Sequence, residues 1–339
     1  KKKKKKAATN SFLTFPFIWC ECLRKFSEKY KELNPEKYKD DVAHIISRGA
    51  TPAGMHISIM VKEILEGGFL RVTSVGGIDP AIMQASEVVI YGKETICGIV
   101  CSTPPHLKSK DDREKLTPID ELLIDTGYPK EELEKIVRVG TPVGFAPIYK
   151  NLGKDKKYFV GKSLDNKACA AAAICGIVEA PREKLAANVA LLLSCHEETV
   201  RIGGVAPAAF DLKPDYAVVI DVNLASVPDT DKCETVEMGK GISISISAIV
   251  DGHFTSLAEK LCSEKNISYV RCAAPSSTGT NTTCLSIVGE GIPVIDVGLP
   301  LKNMHTAVEL VDITDARVLA DFVREIALSE EIAEVYRNV

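Results

Sequence analysis

Several things are scarce in this 339-residue chain, and each scarcity excludes a class. No apolar run approaches the roughly 20 residues that span a bilayer, so no membrane helix is expected. Aromatic residues make up only 6%, with a single Trp. Excess charge is also lacking: the formal net charge is −4, against the basic balance usual for nucleic-acid binders. No paired CxxC spacing occurs among the 11 cysteines, which disfavours a zinc ribbon. Their number is odd, and Cys169, Cys175 and Cys195 sit in apolar text, as free thiols in a reducing, cytoplasmic compartment do. Hydrophobic residues at 45% and charged residues at 26% describe a soluble globular chain, long enough for about two domains.

The N-terminus imitates a signal peptide. Lys1–Lys6 form a basic run, and FLTFPFIWC follows. Pro16 interrupts that apolar stretch, and Glu21, Arg24 and Lys25 follow with no small-residue cleavage site. A solvated tail and an amphipathic helix over 18–49 account for the same text.

From Ile59 the chain reads as short strands: IMVKEI, FLRVTSV, EVVIYG and TICGIVCS. Acidic helical text over 111–136 interrupts them. From about residue 155 strands and helices alternate. YFVGKS, VALLLSC, YAVVIDV, GISISISAIV and PVIDVGLPL are predicted strands. Helices are predicted over Asp165–Ala180, from near Gly204, over Phe254–Lys265 and, as one closing helix, over Thr314–Tyr336. Buried strands alternating with helices argue an α/β sheet.

Ligands of open α/β sheets gather at the carboxyl ends of the strands. Acids recur there: Asp165 after YFVGKSL, Glu197 and Glu198 after VALLLSCH, and Asp221 after YAVVI. His305 follows PVIDVGLPL by a short loop. Converging carboxylates repel one another unless a cation neutralises them, and carboxylate with imidazole suits zinc, cobalt or manganese. Each residue alone also has a plain structural explanation. Asp165 fits a helix cap, the paired Glu a solvated turn, and a lone His a packing residue. GKS at Gly161–Ser163 lacks the glycine a phosphate loop needs, and HEE at His196 lacks the second His of a zincin.

Residues 59–339 resemble the glutamyl/deblocking aminopeptidase family of dinuclear metallo-aminopeptidases (peptidase clan MH), which form tetrahedral dodecamers. The resemblance rests on ordered matches: MVKEI, GFLRV and VGGIDP over 60–80, PPHL at 104–107 and LDNKA at 164–168. HEE at 196–198, IDV at 220–222, PDT at 228–230, GKG at 239–241, STGT at 277–280 and MHTAVELVD at 304–312 continue them.

The resemblance implies a mixed central sheet flanked by helices, in the phosphorylase/hydrolase-like aminopeptidase fold, with an inserted small β-barrel-like domain. It divides the chain into an atypical N-terminal segment 1–63, an insert at 64–154 and a catalytic domain at 155–339. It also implies roles: Asp165 as bridging metal ligand, Glu197 as general base, Glu198 as ligand, Asp221 as ligand of the other ion, and His305 as imidazole ligand. The implied cofactors are two divalent ions, zinc or cobalt. The implied partners are peptide substrates and further copies of the chain, up to a dodecamer, with no nucleic acid and no membrane.

The chain departs from this pattern at the family's first ligand, a His in an AHMDEIG-like motif. Ala53 and Met55 stand at its His and Asp positions, and His56 lies three residues later. Val200, Cys169 and Asn281 also replace family residues. One metal site is therefore expected to be impaired. Two origins are open: a catalytically impaired homologue serving as a structural or regulatory subunit, or a frameshift upstream of residue 59. A two-carboxylate polysaccharide hydrolase fits the residues less well than metal ligation does.

Overall fold

A computed structural model describes residues 59–109, 115–198, 204–230 and 235–337. The atypical segment 1–58, with Ala53, Met55, His56 and the expected helix over 18–49, lies outside the described residues, as does Val200.

The first six strands close a barrel. They are β1 (Ile59–Ile64), β2 (Phe69–Ser74), β3 (Glu87–Tyr91), β4 (Thr95–Val100), β5 (Leu123–Asp125) and β6 (Pro142–Phe145), in the order β1-β2-β5-β4-β3-β6. Alternation drives closure: along β4 every second side chain is buried. Leu70, Val72, Ile90, Val100, Ile124 and Val143 are fully buried inside. Gly98 lets the wall close, because a Cβ there would meet Ile124 Cγ2 at 2.6 Å. Only part of the acidic stretch 111–136 is helical. Helix α1 covers Lys130–Ile136, and β5 precedes it as a strand too short to show a period.

A seven-stranded mixed sheet follows. It contains β7 (Lys150–Leu152), β8 (Tyr158–Gly161), β9 (Ala217–Leu224), β10 (Ile242–Ile246), β11 (Tyr269–Ala273), β12 (Val294–Lys302) and β13 (Glu309–Asp312). β9 runs parallel to β12, and β10 parallel to β11; the remaining pairings are antiparallel. The barrel strands run from β1 to β6, residues 59–145: β1 lies before the expected insert bound of 64, while β7, inside the expected 64–154, pairs with β8 in the larger sheet.

The helices are α2 (Leu164–Glu179), α3 (Val205–Leu212), α4 (Gly252–Lys265), α5 (Thr282–Leu285), α6 (Ile313–Leu328) and α7 (Glu330–Val335). Ile242, Ile244, Ile295, Val297 and Leu299 of the sheet pack with Phe254, Ala258, Leu319 and Phe322 of α4 and α6. Gly176 brings α2 against α6, because a Cβ there would lie 2.3 Å from the Ala320 carbonyl oxygen. Asp312 caps α6, accepting from the Thr314 amide at 2.9 Å.

Two expectations fail here. The closing helix is two helices: Ser329 leaves helical geometry (φ −79°, ψ 103°) and N-caps α7 by accepting from the Ile332 amide. The apolar run VALLLSC over 189–195 is not a strand. Leu193 is 54% exposed, and the outer edge of β9 pairs with no strand among the described residues. Without ladder hydrogen bonds on either side, an apolar run has no reason to become a strand.

Candidate metal and catalytic centre

Three ligand-type residues from distant parts of the chain converge. Asp165 lies in the first turn of α2, just beyond β8. Glu198 lies in the irregular segment that follows α2, and His305 sits in the turn between β12 and β13. His305 Nε2 lies 3.3 Å from Asp165 Oδ2 and 3.3 Å from Glu198 Oε2. One ligand atom from each of the three lies within 4.8 Å of the others.

The local backbone explains the convergence. Asp165 and Asn166 do not have helical dihedrals, although they stand within the first turn of α2. Ser163 and His305 both occupy the left-handed region, with φ of 57° and 61°. L-residues adopt it rarely, and such positions cluster at functional sites. The Asn166 amide Nδ2 donates to the Ile220 carbonyl at 2.9 Å, which ties α2 to the strand that carries Asp221.

Asp221 is buried and its carboxyl is pushed up to about 8, first by burial and then by the negative charge of Asp165. Glu197 adds to the same repulsion. His305 is raised to about 10, first by its hydrogen bond with Asp165 and then by that with Glu198. Each of these shifts is what anions crowded in a low dielectric produce when only a proton is available to neutralise them. Two buried oxygens beside Asp165, Ser163 Oγ and Asn166 Oδ1, accept no hydrogen bond. Carboxylate and imidazole donors with excess negative charge are the donor set of a borderline divalent cation.

All five residues predicted from sequence, Asp165, Glu197, Glu198, Asp221 and His305, line one cavity of about 1000 Å³. Much of its remaining wall is apolar, from Leu191, Val205, Ala209, Tyr216 and Ile220. Among the described residues, Asp165, Glu198 and His305 form the one three-residue metal-type cluster. Among the described residues Asp221 stands outside that cluster. One residue escaped notice in the sequence: Glu309, a buried carboxylate beneath the site. Its setting in AVELVD, at the start of a four-residue strand, carries no signal of its own.

The chain and its fold resemble known aminopeptidases. The chain is 29% identical over 298 residues to the lysyl aminopeptidase of Pyrococcus furiosus, a match covering 84% of this chain and 83% of that one. The structure resembles an aminopeptidase from Desulfurococcus kamchatkensis, with a TM-score of 0.73, 24% identity, and 83% and 79% of the two chains covered. It also resembles the TET1 peptidase of Pyrococcus horikoshii, described as able to assemble into a tetrahedron or a large octahedral shell, with a TM-score of 0.68, 24% identity and 80% of each chain covered. A separate, short similarity has another source. Over 72 residues, 19% of this chain, it is 54% identical to a ribosomal RNA small subunit methyltransferase H of Agathobacter rectalis, of which it covers 21%. The M42 glutamyl aminopeptidase family matches residues 56–322, the barrel and nearly all of the sheet region together. The chain belongs to the M42 glutamyl aminopeptidase family of peptide-bond hydrolases.

Proposed function

We propose that the chain is a metal-dependent aminopeptidase that removes N-terminal residues from peptides at the Asp165–Glu198–His305 cluster. One observation carries this: three ligand-type side chains, from three separate segments, come within 4.8 Å of one another at the wall of a large cavity. A zinc or cobalt ion bound there would supply Lewis-acid chemistry to peptide hydrolysis. Asp165, Glu198 and His305 would hold such an ion, and Asp221 would be a ligand of a second one. Glu197 is the neighbour in sequence but has a different task. It takes the proton of the attacking water and returns it to the leaving amine. The apolar wall from Leu191 to Ile220 excludes water from the bound peptide. The buried, mutually repelling Asp165 and Asp221 support the ligand assignment, since a cation removes the repulsion that raises the Asp221 carboxyl.

A second version of this function has its own support. Asp221 stands outside the three-residue cluster, and Ala53 and Met55 stand where the family resemblance expects the His and Asp of the first ligand motif, so the second position would hold an ion less well than the first. A catalytically impaired chain that serves as a structural or regulatory subunit follows if both ions are needed. Metal analysis of the purified protein decides: two tightly held ions per chain would rule out the impaired version. Cleavage of aminoacyl chromogenic substrates with added cobalt or zinc, abolished in Glu197→Gln, supports the active one. Activity unchanged by that substitution removes Glu197 as the base.

Assembly is part of the proposal. The fold likeness to a shell-forming peptidase supports a homo-oligomer, up to a dodecamer. Among the described residues no helix is long and apolar enough to cross a membrane. The eight described cysteines are all free thiols, which supports cytoplasmic residence.

A further inference from the structure

We infer that Glu309 is a positioning residue for the metal centre: its buried carboxylate clamps the backbones of Asp165 and His305 at the separation their side chains need to share one ion. This rests on the proposed metal site. Glu309 is 1% exposed, and its two oxygens are divided between the two ligand-bearing segments. Oε2 accepts from the Asp165 amide at 3.1 Å, and Oε1 accepts from the His305 amide at 2.9 Å. Asp165 and His305 belong to different elements, and no strand ladder includes either of them. One planar, rigid group therefore bridges backbones that the sheet alone leaves independent.

The placement of Glu309 fits that task. It opens β13, and its backbone pairs with Gly161 at the end of β8. It thus stands between the strand that leads into Asp165 and the turn that carries His305. Both flanking turns hold left-handed residues, Ser163 and His305, which local preference alone does not maintain. Hydrogen bonds to an ionised acceptor are stronger than neutral ones, so the carboxylate form suits this clamp better than an amide would. Lys167 lies close enough to feel the Glu309 charge, which helps keep that charge in a buried position. Groups that orient metal ligands from behind commonly change affinity by about 10- to 100-fold when replaced.

The test is Co(II) binding to the full chain after removal of metal, followed by equilibrium dialysis and by the visible absorption of the bound ion. Glu309→Gln keeps the size of the side chain but turns one acceptor into a donor facing an N–H. Glu309→Asp keeps the charge but is one methylene too short to reach both amides. We expect Co(II) affinity to fall about 10- to 100-fold in E309Q, with an altered absorption band, and to fall by less in E309D. Thermal melting of the metal-free proteins separates this from a merely structural role. If E309Q melts earlier but its folded fraction binds Co(II) with wild-type affinity and spectrum, the inference is overturned. If E309Q does not fold, wild-type Co(II) binding by E309D overturns it equally. A wild-type chain that binds no Co(II) removes the metal site itself and this inference with it, whereas wild-type binding unchanged in both variants removes only Glu309.

Discussion

The barrel and the large sheet handle polar groups in opposite ways. Thr141 is the only buried polar side chain described in the barrel region. The sheet region buries Lys162, Asp165, Asp221, Asp296, Glu309, Asp312 and Asp315, besides several hydroxyls. Edges divide in the same way. The barrel closes its strand order on itself, while the outer edge of β9 pairs with no strand among the described residues. A closed barrel satisfies its backbone internally and asks only for packing. The sheet region keeps charges out of water, which is costly unless they are paired, bonded or bound to a cation. Asp296 shows the bonded case, with hydroxyl donors Ser245, Thr280 and Thr282 at 2.5, 2.7 and 3.0 Å. Asp221 shows the contrasting case: the Val222 amide donates to it at 2.8 Å, yet burial and the charge of Asp165 still raise its carboxyl, a repulsion that a cation would remove.

The sharpest way to break this contrast is at the centre. Glu197→Gln should lower kcat by about 10²- to 10⁴-fold, the usual worth of a general base, and leave Co(II) affinity unchanged. Loss of Co(II) binding in that variant would make Glu197 a ligand instead. The barrel should behave as pure packing. Ile124→Ala, at a fully buried position, should cost about 2–5 kcal/mol of stability in denaturant melts. Its folded fraction should bind Co(II) like the wild type; a changed affinity would show that the barrel shapes the site.

Proton release on metal binding is the next largest effect. His305 must lose its proton to act as a ligand, and it is held protonated up to about 10. Co(II) affinity should therefore fall by about tenfold for each pH unit lowered between pH 9 and 7, one proton being displaced. If Asp221, raised to about 8, also binds the ion, the dependence below pH 8 approaches two protons. Calorimetry in buffers of different ionisation heat counts these protons, and a count of zero would remove His305 as a ligand.

Stability of the metal-free protein should run the other way from a simple carboxylate. The folded Asp221 carboxyl lies above its unfolded value, so its contribution is present below about pH 4 and is lost as pH rises towards 8. Asp221→Asn should therefore raise the metal-free melting temperature at pH 8 by several degrees and leave it little changed at pH 4. The smallest effect is expected outside both regions. Leu193→Gln should change stability by less than about 0.5 kcal/mol, because that side chain is exposed. A cost of several times that would mean that residues 189–195 are buried against a partner in the assembled protein.

Much of the site was legible. Asp165, Glu197, Glu198, Asp221 and His305 were named from their places after predicted strands and from the family resemblance, and all five line one cavity. Their residue types carry metal chemistry at any position, so the sequence could flag them. Glu309 could not be flagged, because its role depends on two amides brought to it from residues 165 and 305. The same limit applied to the elements. β5 and β13 have three and four residues, too few to show alternation. The apolar text of 189–195 looked like a strand, but strand formation needs a neighbouring edge, and periodicity says nothing about neighbours.

The sequence by itself determined the α/β class, the first four barrel strands and the chemistry available at the rim, because these follow from local pattern and residue type. Only the tertiary structure decided which strands pair, that β1 closes the barrel rather than starting the catalytic sheet, and that one buried carboxylate holds two ligand backbones at once. Those are contacts between residues far apart in the chain, and their geometry exists only after the chain has folded.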